Sequence, residues 1–209
     1  MFPLSSNIRQ SLPGLLAAWL IVIASSPLLN AANFRTVIID PGHGGRDKGG
    51  HYGKVYEKHL ALDTAYRLEK ALRNMGYRTV MTRRSDQFVS LPERCRIANR
   101  YSNSIFVSVH YNSTWKSHVS GLETFYYGTS GKKLASYVQR GIVRYTRAND
   151  RGVKFGRYYV IRNTKMPAIL VEGGFISHSK ERDRMKSAYF REAIARGIAE
   201  GIQRYRRSG

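Results

Sequence analysis

Alternating apolar segments divide residues 34–207 into strands and helices. Short runs rich in β-branched and aromatic residues predict strands, at 34–40, 77–82, 104–111, 121–127, 157–162 and 167–175. Helical spacing of apolar residues lies between several of them. This alternation indicates a single α/β domain, with a mostly parallel twisted sheet of about six strands and helices on both faces.

Four segments carry helix signals. Apolar residues recur at i, i+3 and i+4 over 57–76, where Gly76 ends the helix, and also over 130–149. Ser90 and Glu93 have the spacing of a capping box, so another helix begins there. The segment 187–207 predicts a helix with an apolar stripe that faces the core, formed by Phe190, Ile194, Ile198 and Ile202.

The N-terminal 32 residues have the pattern of a secretory signal peptide. Arg9 precedes an apolar run from Leu15 to Ala24, and small residues follow, with expected cleavage near Ala31 or Ala32. The run is about half the ~20 residues that span a bilayer. The alternative is an uncleaved anchor that extends to Leu29, although Ser25, Ser26 and Pro27 would interrupt it. We therefore predict residues 1–32 as signal peptide and 33–209 as one domain.

The chain is strongly basic. Its 35 Lys and Arg against 14 Asp and Glu give a net charge of +21, and removal of residues 1–32 would take away only Arg9 and leave +20. Such a charge favours a polyanionic partner. For an exported protein, periplasmic or extracellular and wall-associated, we expect an anionic envelope polymer rather than nucleic acid, no stable membrane anchor, and a monomer. The lone Cys95 excludes an internal disulfide and is interpreted as a buried small residue.

Polar side chains that can bind metal lie where predicted strands end. Asp40 and His43 follow the first strand, His110 ends the third, and Glu172 lies in the last. Because ligands bind outside the carboxyl ends of the strands in open parallel sheets, we expect these residues to converge. Each residue alone is weak evidence, but together they form a constellation.

Glu57 adds a carboxylate at the start of the first helix. Alone it would be interpreted as helix capping. Beside His43 and His110 it completes a His, Glu, His set with an open position, which is typical of a hydrolytic zinc site. Iron or manganese stays as an alternative.

The glycine-rich loop around His43 is explained by such a site. Gly42, Gly44 and Gly45 can adopt positive φ and allow the backbone to approach a ligand closely. Asp40 would then brace the loop or orient a ligand. A phosphate-binding loop is excluded, because no G-x-x-x-x-G-K-[ST] motif is present and the glycines do not open directly into a helix.

An ordered set of motifs resembles one enzyme family. "IIDPGHGG", an early Glu57, "LPERCRIAN", "SIFVSVHYN", "GLETFYY" and "PAILVEGGFISH" are similar, in order, to zinc-dependent N-acetylmuramoyl-L-alanine amidases of the Amidase_3 type, over nearly all of residues 34–205. The resemblance implies a phosphorylase/hydrolase-like fold, one Zn²⁺ held by His43, Glu57 and His110, and Glu172 as catalytic residue. It implies hydrolysis of the amide between N-acetylmuramic acid and L-alanine in peptidoglycan.

The chain departs from the family in two places. Tyr111 stands where the family commonly has alanine, which places a bulky ring beside His110 and could alter substrate fit. The segment 112–121 is short and has no room for the blocking helix of some members. This brevity suggests an enzyme that needs no activator.

Three other functions are alternatives to the amidase. A cell-wall-binding module would have lost one of the four site residues, and all four are present. A nucleic-acid-binding protein would carry a basic helix or a known motif, whereas these arginines are spread over many elements. A zinc carboxypeptidase on a similar sheet is excluded only by its products.

The other polar residues have ordinary interpretations. His51, His59, His118 and His178 are not expected to be ligands. Arg94 and Asn99 are assigned to packing of their helix. Arg83 and Arg84 are expected in a solvated basic loop rather than in contact with substrate.

Overall fold

The protein has one six-stranded sheet and a small hairpin in the computed structural model, which describes residues 33–208. The sheet strands are β1 (Thr36–Pro41), β4 (Arg78–Met81), β5 (Ser104–Asn112), β6 (Leu122–Tyr126), β7 (Asp150–Phe155) and β8 (Ala168–Phe175). The hairpin consists of β2 (His51–Tyr52) and β3 (Val55–Tyr56). The predicted signal peptide lies outside the described residues. Among those described, no helix is long and apolar enough to cross a membrane.

Helices cover both faces of the sheet. They are α1 (Glu57–Asn74), α2 (Leu91–Ala98), α3 (Thr129–Thr146), α4 (Tyr159–Arg162), α5 (Ser179–Lys186) and α6 (Ala188–Arg207). Ser90 caps α2 by accepting a hydrogen bond from the backbone N–H of Glu93, as the capping-box spacing predicts. Gly76 adopts a φ of 83° just after α1, which confirms it as the end of that helix.

The sheet is mostly parallel, in the order β4-β1-β5-β8-β6-β7. The strands β4, β1, β5 and β8 run parallel, while β6 is antiparallel to β8 and parallel to β7. Because the segment between β5 and β6 contains no helix, it is too short for a parallel crossover, and the chain returns in the opposite direction. The predicted α/β class and strand number are confirmed.

One predicted strand is wrong. Residues 157–162 contain the helical turn α4, and the strand lies earlier, at β7. The segment has the aromatic and β-branched composition of a strand, but backbone hydrogen bonds from Arg162 to Tyr158 and from Asn163 to Tyr159 close a helical turn. Its Val160 and Ile161 pack into a core cluster. Strand β7 pairs only with β6 at the sheet edge, so its sequence lacks a clear apolar alternation. The hairpin and α5 were not predicted.

The two faces of the sheet are covered unequally. Helices α1, α3 and α6 pack together on one face, where the stripe predicted on α6 is buried. Helices α3 and α6 approach so closely that a Cβ on Gly197 would lie 2.6 Å from Cα of Ile142. Only the short α2 and α4 cover the other face, in a smaller cluster that includes the buried Cys95. The polar site develops on this thinly covered face.

Strand alternation directs the site residues to that face. Ile38, Phe106 and Leu170 belong to the small cluster under α2 and α4. Two residues further along β1 and β8 stand Asp40 and Glu172, and His110 lies four residues after Phe106 on β5. Since side chains alternate with a period of two, all three point to the same side as the cluster.

Candidate active site

Three side chains able to bind metal meet at the carboxyl edge of the parallel strands. One ligand atom each from His43, Glu57 and His110 lies within 4.8 Å of the others. Glu57 Oε1 is 3.1 Å from Nε2 of His43 and 2.8 Å from Nδ1 of His110. Two imidazoles and one carboxylate suit Zn²⁺ and leave a coordination position open. The three predicted ligands are therefore brought together and could hold a metal ion.

Glu57 is turned toward the two histidines and does not cap α1. Its Oε2 accepts a hydrogen bond from the N–H of Gly50 at 2.7 Å, and its Oε1 accepts one from the N–H of Tyr111 at 3.1 Å. Burial alone would raise the pKa of Glu57, but the hydrogen bonds with His110 and His43 outweigh it and hold the pKa far below its usual range. The carboxylate is therefore ionised, the form that ligates a cation.

Asp47 orients His43, a role that the sequence did not reveal. Its Oδ2 lies 2.9 Å from Nδ1 of His43, and its Oδ1 accepts a hydrogen bond from the N–H of Gly49 at 3.1 Å. Metal-binding histidines usually donate their second N–H to such an acceptor. Burial would lower the pKa of His43, but Glu57 and Asp47 raise it. The i, i+4 spacing was visible, but only the loop conformation gives it meaning.

Two positions beside the three ligands must be glycine, because no space is left for a Cβ atom. A Cβ on Gly42 would lie 2.3 Å from Cε1 of His110, and a Cβ on Gly49 would lie 2.6 Å from Oε2 of Glu57. Gly42 has no positive φ, so its role is close approach and not the backbone conformation expected for it. His43 itself has a φ of 58°, a strained conformation for a residue with a side chain.

Arg94 and Asp40 hold the loop that carries His43. Arg94 Nη1 donates to Oδ1 of Asp40 at 2.7 Å and to the carbonyl of Pro41 at 2.6 Å, and its Nη2 donates to the carbonyl of His43 at 2.6 Å. Asp40 also accepts hydrogen bonds from the hydroxyls of Thr82 and Ser108. Asp40 and Arg94 are both buried. Asp40 therefore has the predicted bracing role, and Arg94 fixes the loop that carries His43 as well as packing its helix.

Arg83 is buried, which contradicts its prediction as part of a solvated loop. Only 1% exposed, it donates from Nη2 to the carbonyls of Gly42 at 2.7 Å and Lys58 at 2.8 Å. Each of these carbonyls is one residue from a predicted metal ligand. Burial and the nearby charge of Arg94 lower the pKa of Arg83 to about 10, so it stays charged at neutral pH. Arg84 is half-exposed and pairs with Glu69.

Glu172 lies beside the metal-ligand cluster, buried and without a partner. It is paired in register with His110 on the neighbouring strand, and it is only 6% exposed. Its Oε2 has no hydrogen-bond partner, and no arginine within the described part of the chain forms an ion pair with it. Burial, followed by the like charges of Glu57 and Glu123, raises its pKa well above the usual value. A buried carboxyl group with a perturbed pKa, in register beside a metal-ligand residue, is a candidate acid or base.

Glu123 continues this row of polar residues and was not predicted as part of the site. It faces Glu172 in the antiparallel register between β6 and β8. Its buried carboxylate accepts hydrogen bonds from Asn112 Nδ2 at 2.8 Å and Arg151 Nε at 2.9 Å, and it also pairs with Lys154. In contrast to Glu172, Glu123 therefore has its negative charge balanced by cationic side chains.

A cavity of about 230 Å³ opens beside His43 and His110. Its walls are mainly apolar, formed by residues that include Phe88, Leu91 and Tyr159. A larger cavity of about 650 Å³ lies at the amino ends of the strands, near Asn33 and Ser104, where no metal-ligand cluster occurs among the described residues.

The remaining histidines and Tyr111 lie outside the cluster. His59 is near Asp86, and His178 caps α5 by accepting a hydrogen bond from the N–H of Glu181. Neither these nor His51 and His118 join the metal-ligand group. Tyr111 is fully buried and hydrogen-bonded to Thr64 of α1, so its ring packs in the core and does not line the cavity beside His110.

A mostly parallel sheet with a His-Glu-His cluster at its carboxyl edge defines the class of this protein as an α/β domain with a candidate metal site. Residues 37–204 match the family model for Amidase_3, described as N-acetylmuramoyl-L-alanine amidase. The chain therefore belongs to this family.

Curated relatives agree with this assignment. The chain is 35% identical over 187 residues to the N-acetylmuramoyl-L-alanine amidase LytC of Bacillus subtilis, covering 88% of this chain and 38% of LytC. It is 36% identical over 173 residues to the amidase CwlM of Bacillus licheniformis, covering 80% of this chain and 67% of CwlM. The chain thus spans well under half the length of LytC, and the match concerns a part of that protein.

Solved structures share the fold. An N-acetylmuramoyl-L-alanine amidase from Clostridium difficile 630 superposes with a TM-score of 0.80 at 37% identity, covering 83% of this chain and 97% of that one. The catalytic domain of CwlV from Bacillus (Paenibacillus) polymyxa gives 0.80 at 36% identity, covering 84% and 100%.

We predict that Arg83→Lys destabilises the protein by about 2–4 kcal/mol, because one ammonium group cannot reach the carbonyls that the guanidinium satisfies, and buried polar groups are left unpaired. Urea unfolding measures the loss. The matched control is Arg84→Lys, where an exposed ion pair changes and the expected effect is below about 1 kcal/mol. Equal losses at both positions would contradict the bracing role.

We predict that Glu172→Gln stabilises the metal-free protein at neutral pH. Folding raises the pKa of the Glu172 carboxyl group. The folded protein therefore becomes less stable as pH rises above the pKa that this group has in the unfolded chain, whereas an amide does not titrate. The difference in melting temperature should be small near pH 4 and grow to roughly 2–4 °C or more by pH 7. Thermal unfolding in the presence of chelator measures it. A difference that stays constant with pH would refute the burial of an unpaired carboxyl.

Proposed function

We propose that this protein hydrolyses the amide bond between N-acetylmuramic acid and L-alanine of the peptidoglycan stem peptide, as a zinc-dependent N-acetylmuramoyl-L-alanine amidase. One observation carries the proposal. His110, which clusters with His43 and Glu57, is paired in register with the unpartnered Glu172, in a chain that belongs to this amidase family. Peptidoglycan as substrate follows from the names of the relatives.

The donor set fits zinc. Two imidazoles and one ionised carboxylate form a zinc site with an open position. The same donor set also serves Fe(II), and membership of an amidase family favours zinc as the hydrolytic metal. His43, Glu57 and His110 would hold one ion, with Asp47 fixing the orientation of the His43 ring. When bound, zinc polarises the amide carbonyl and lowers the pKa of water to about 7.

Glu172 supplies the proton transfers. Its carboxylate takes a proton from the attacking water and later delivers it to the nitrogen of the departing L-alanine, so the amide bond breaks and the amine leaves neutral. The raised pKa of Glu172 suits both steps. A carboxylate with a low pKa is a weak base toward the attacking water, and a carboxyl group with an ordinary pKa is already ionised near neutral pH and has no proton to give to the amine.

Digestion of purified peptidoglycan tests the proposal. The mature chain, residues 33–209, should release free stem peptides that begin at L-alanine, only with zinc and without chelator. Glu172→Gln should lower the rate at least about 100-fold, the scale of general acid–base catalysis. Glu192→Gln on α6, away from the site, is the matched control and should remain active.

Mass analysis of the products separates the rivals. Shortened peptides still attached to sugar would make the protein a carboxypeptidase. Binding of peptidoglycan with no new product under any metal would make it a wall-binding module.

We also propose that the protein is exported, with residues 1–32 as its signal peptide, and acts in the periplasm or at the cell wall as a monomer. A staphylococcal relative at 30% identity carries the name probable cell wall amidase LytH. The segment 113–121 contains no helix, which supports activity without an activator. The neighbour CwlD of Clostridioides difficile, by contrast, was solved in complex with the GerS lipoprotein. Activity of the purified chain alone tests this point.

We predict that the positive charge holds the enzyme on anionic wall polymers. Raising the salt concentration screens exposed charges, so it should release the protein from isolated sacculi while the turnover of a small soluble muropeptide changes much less. Sedimentation of sacculi measures binding, and peptide release measures turnover. An equal loss of both would show that charge serves the active site and not adhesion.

A further inference from the structure

A partly exposed basic pair lies on β7, two strands beyond Glu172. Arg151 and Lys154 of β7 both pair with the buried Glu123, which faces Glu172 across the β6–β8 register. Neighbouring strands are about 4.8 Å apart, so β7 lies roughly 10 Å from β8, within reach of an extended peptide bound at the site. Two cations meet one carboxylate, and one positive charge is left over. The side chains of Arg151 and Lys154 are 31% and 37% exposed, whereas that of Glu123 is 4% exposed, so the cations face solvent.

Arg151 is held in place with its terminal nitrogens unused. Its Nε donates to Glu123, its guanidinium lies 5.1 Å from the ring centre of Phe175, and its stem occupies the space that a Cβ on Gly121 would fill. Nη1 and Nη2 donate to no other residue in the described range 33–208. A fixed guanidinium with two free parallel donors is suited to bind a carboxylate in bidentate fashion.

The reaction geometry indicates which half of the substrate would lie there. In register order, the row runs from the ligand His110 through Glu172 to Glu123. The carbonyl belongs at the metal ligands and the departing amine at Glu172, so the peptide that carries this amine extends toward Arg151. The muramic acid half has no free carboxylate, because its carboxyl group forms the amide. The peptide half carries carboxylates.

We propose that Arg151, supported by Lys154 and oriented by Glu123, forms a subsite that binds a carboxylate of the stem peptide on the amine side of the cleaved bond. This inference rests on the proposed amidase function and specifies its substrate. Arg151 is the specificity-determining residue, because it offers the free donors. Lys154 keeps Glu123 paired when Arg151 is replaced, so variants at Arg151 should fold.

A pair of soluble muropeptides tests the subsite, one with free peptide carboxylates and one with these groups converted to carboxamides. The wild type should show a kcat/KM about 10-fold or more higher for the carboxylate form, mainly through KM, as expected for a charge-assisted hydrogen bond. Arg151→Gln should process both forms at the lower rate, and Arg151→Lys should fall between. The matched control is Arg140→Gln, an exposed arginine on α3 over the opposite face, which should keep the wild-type preference.

Equilibrium binding of the released stem peptide, measured by calorimetry on the same variants, needs no turnover. Peptide binding that depends on both Arg151 and the carboxylates supports the subsite, even if the wild type releases no peptide and the amidase proposal fails. Turnover by the wild type with no carboxylate preference, or an equal loss on both substrates in Arg151→Gln, overturns the subsite and leaves the amidase proposal standing.

Discussion

The site depends on two buried guanidinium groups that fix the conformation of the glycine-rich loop that carries His43. Arg83 and Arg94 donate to the carbonyls of three successive residues, Pro41, Gly42 and His43. Glycine is required here because the His110 ring leaves no room for a Cβ, but glycine also makes the loop flexible. Fixed donors in the protein interior offset that freedom and allow His43 to keep a positive φ.

Two glutamates in this site are driven to opposite protonation states by their surroundings. Glu57 accepts hydrogen bonds from two backbone N–H groups and contacts both histidines, so it remains ionised despite burial. Glu172 is equally buried but has no such partner, and its pKa rises. A ligand must be charged, whereas a proton shuttle must gain and lose its proton near neutral pH. The difference arises from hydrogen-bond partners and not from residue type.

The unequal covering of the sheet explains why the site lies where it does. Three long helices bury one face and supply most of the core, so α2 and α4 can leave the other face open at the strand ends. The change of direction at β6 then adds Glu123 and its basic partners to the same row as Glu172. A wholly parallel sheet would have placed the opposite end of that strand beside the site.

The sequence by itself determined the α/β class, the strand count, and the positions of most helices, because apolar periodicity and capping residues are local signals. It also predicted one shared site for the residues His43, Glu57, His110 and Glu172, since residues at the ends of parallel strands lie at the same edge of the sheet. Only the tertiary structure decided the places of Arg83, Asp47 and Glu123, and the strand at β7 in place of 157–162. A charged side chain is buried, or an edge strand formed, according to partners distant in sequence, and no local pattern records those partners.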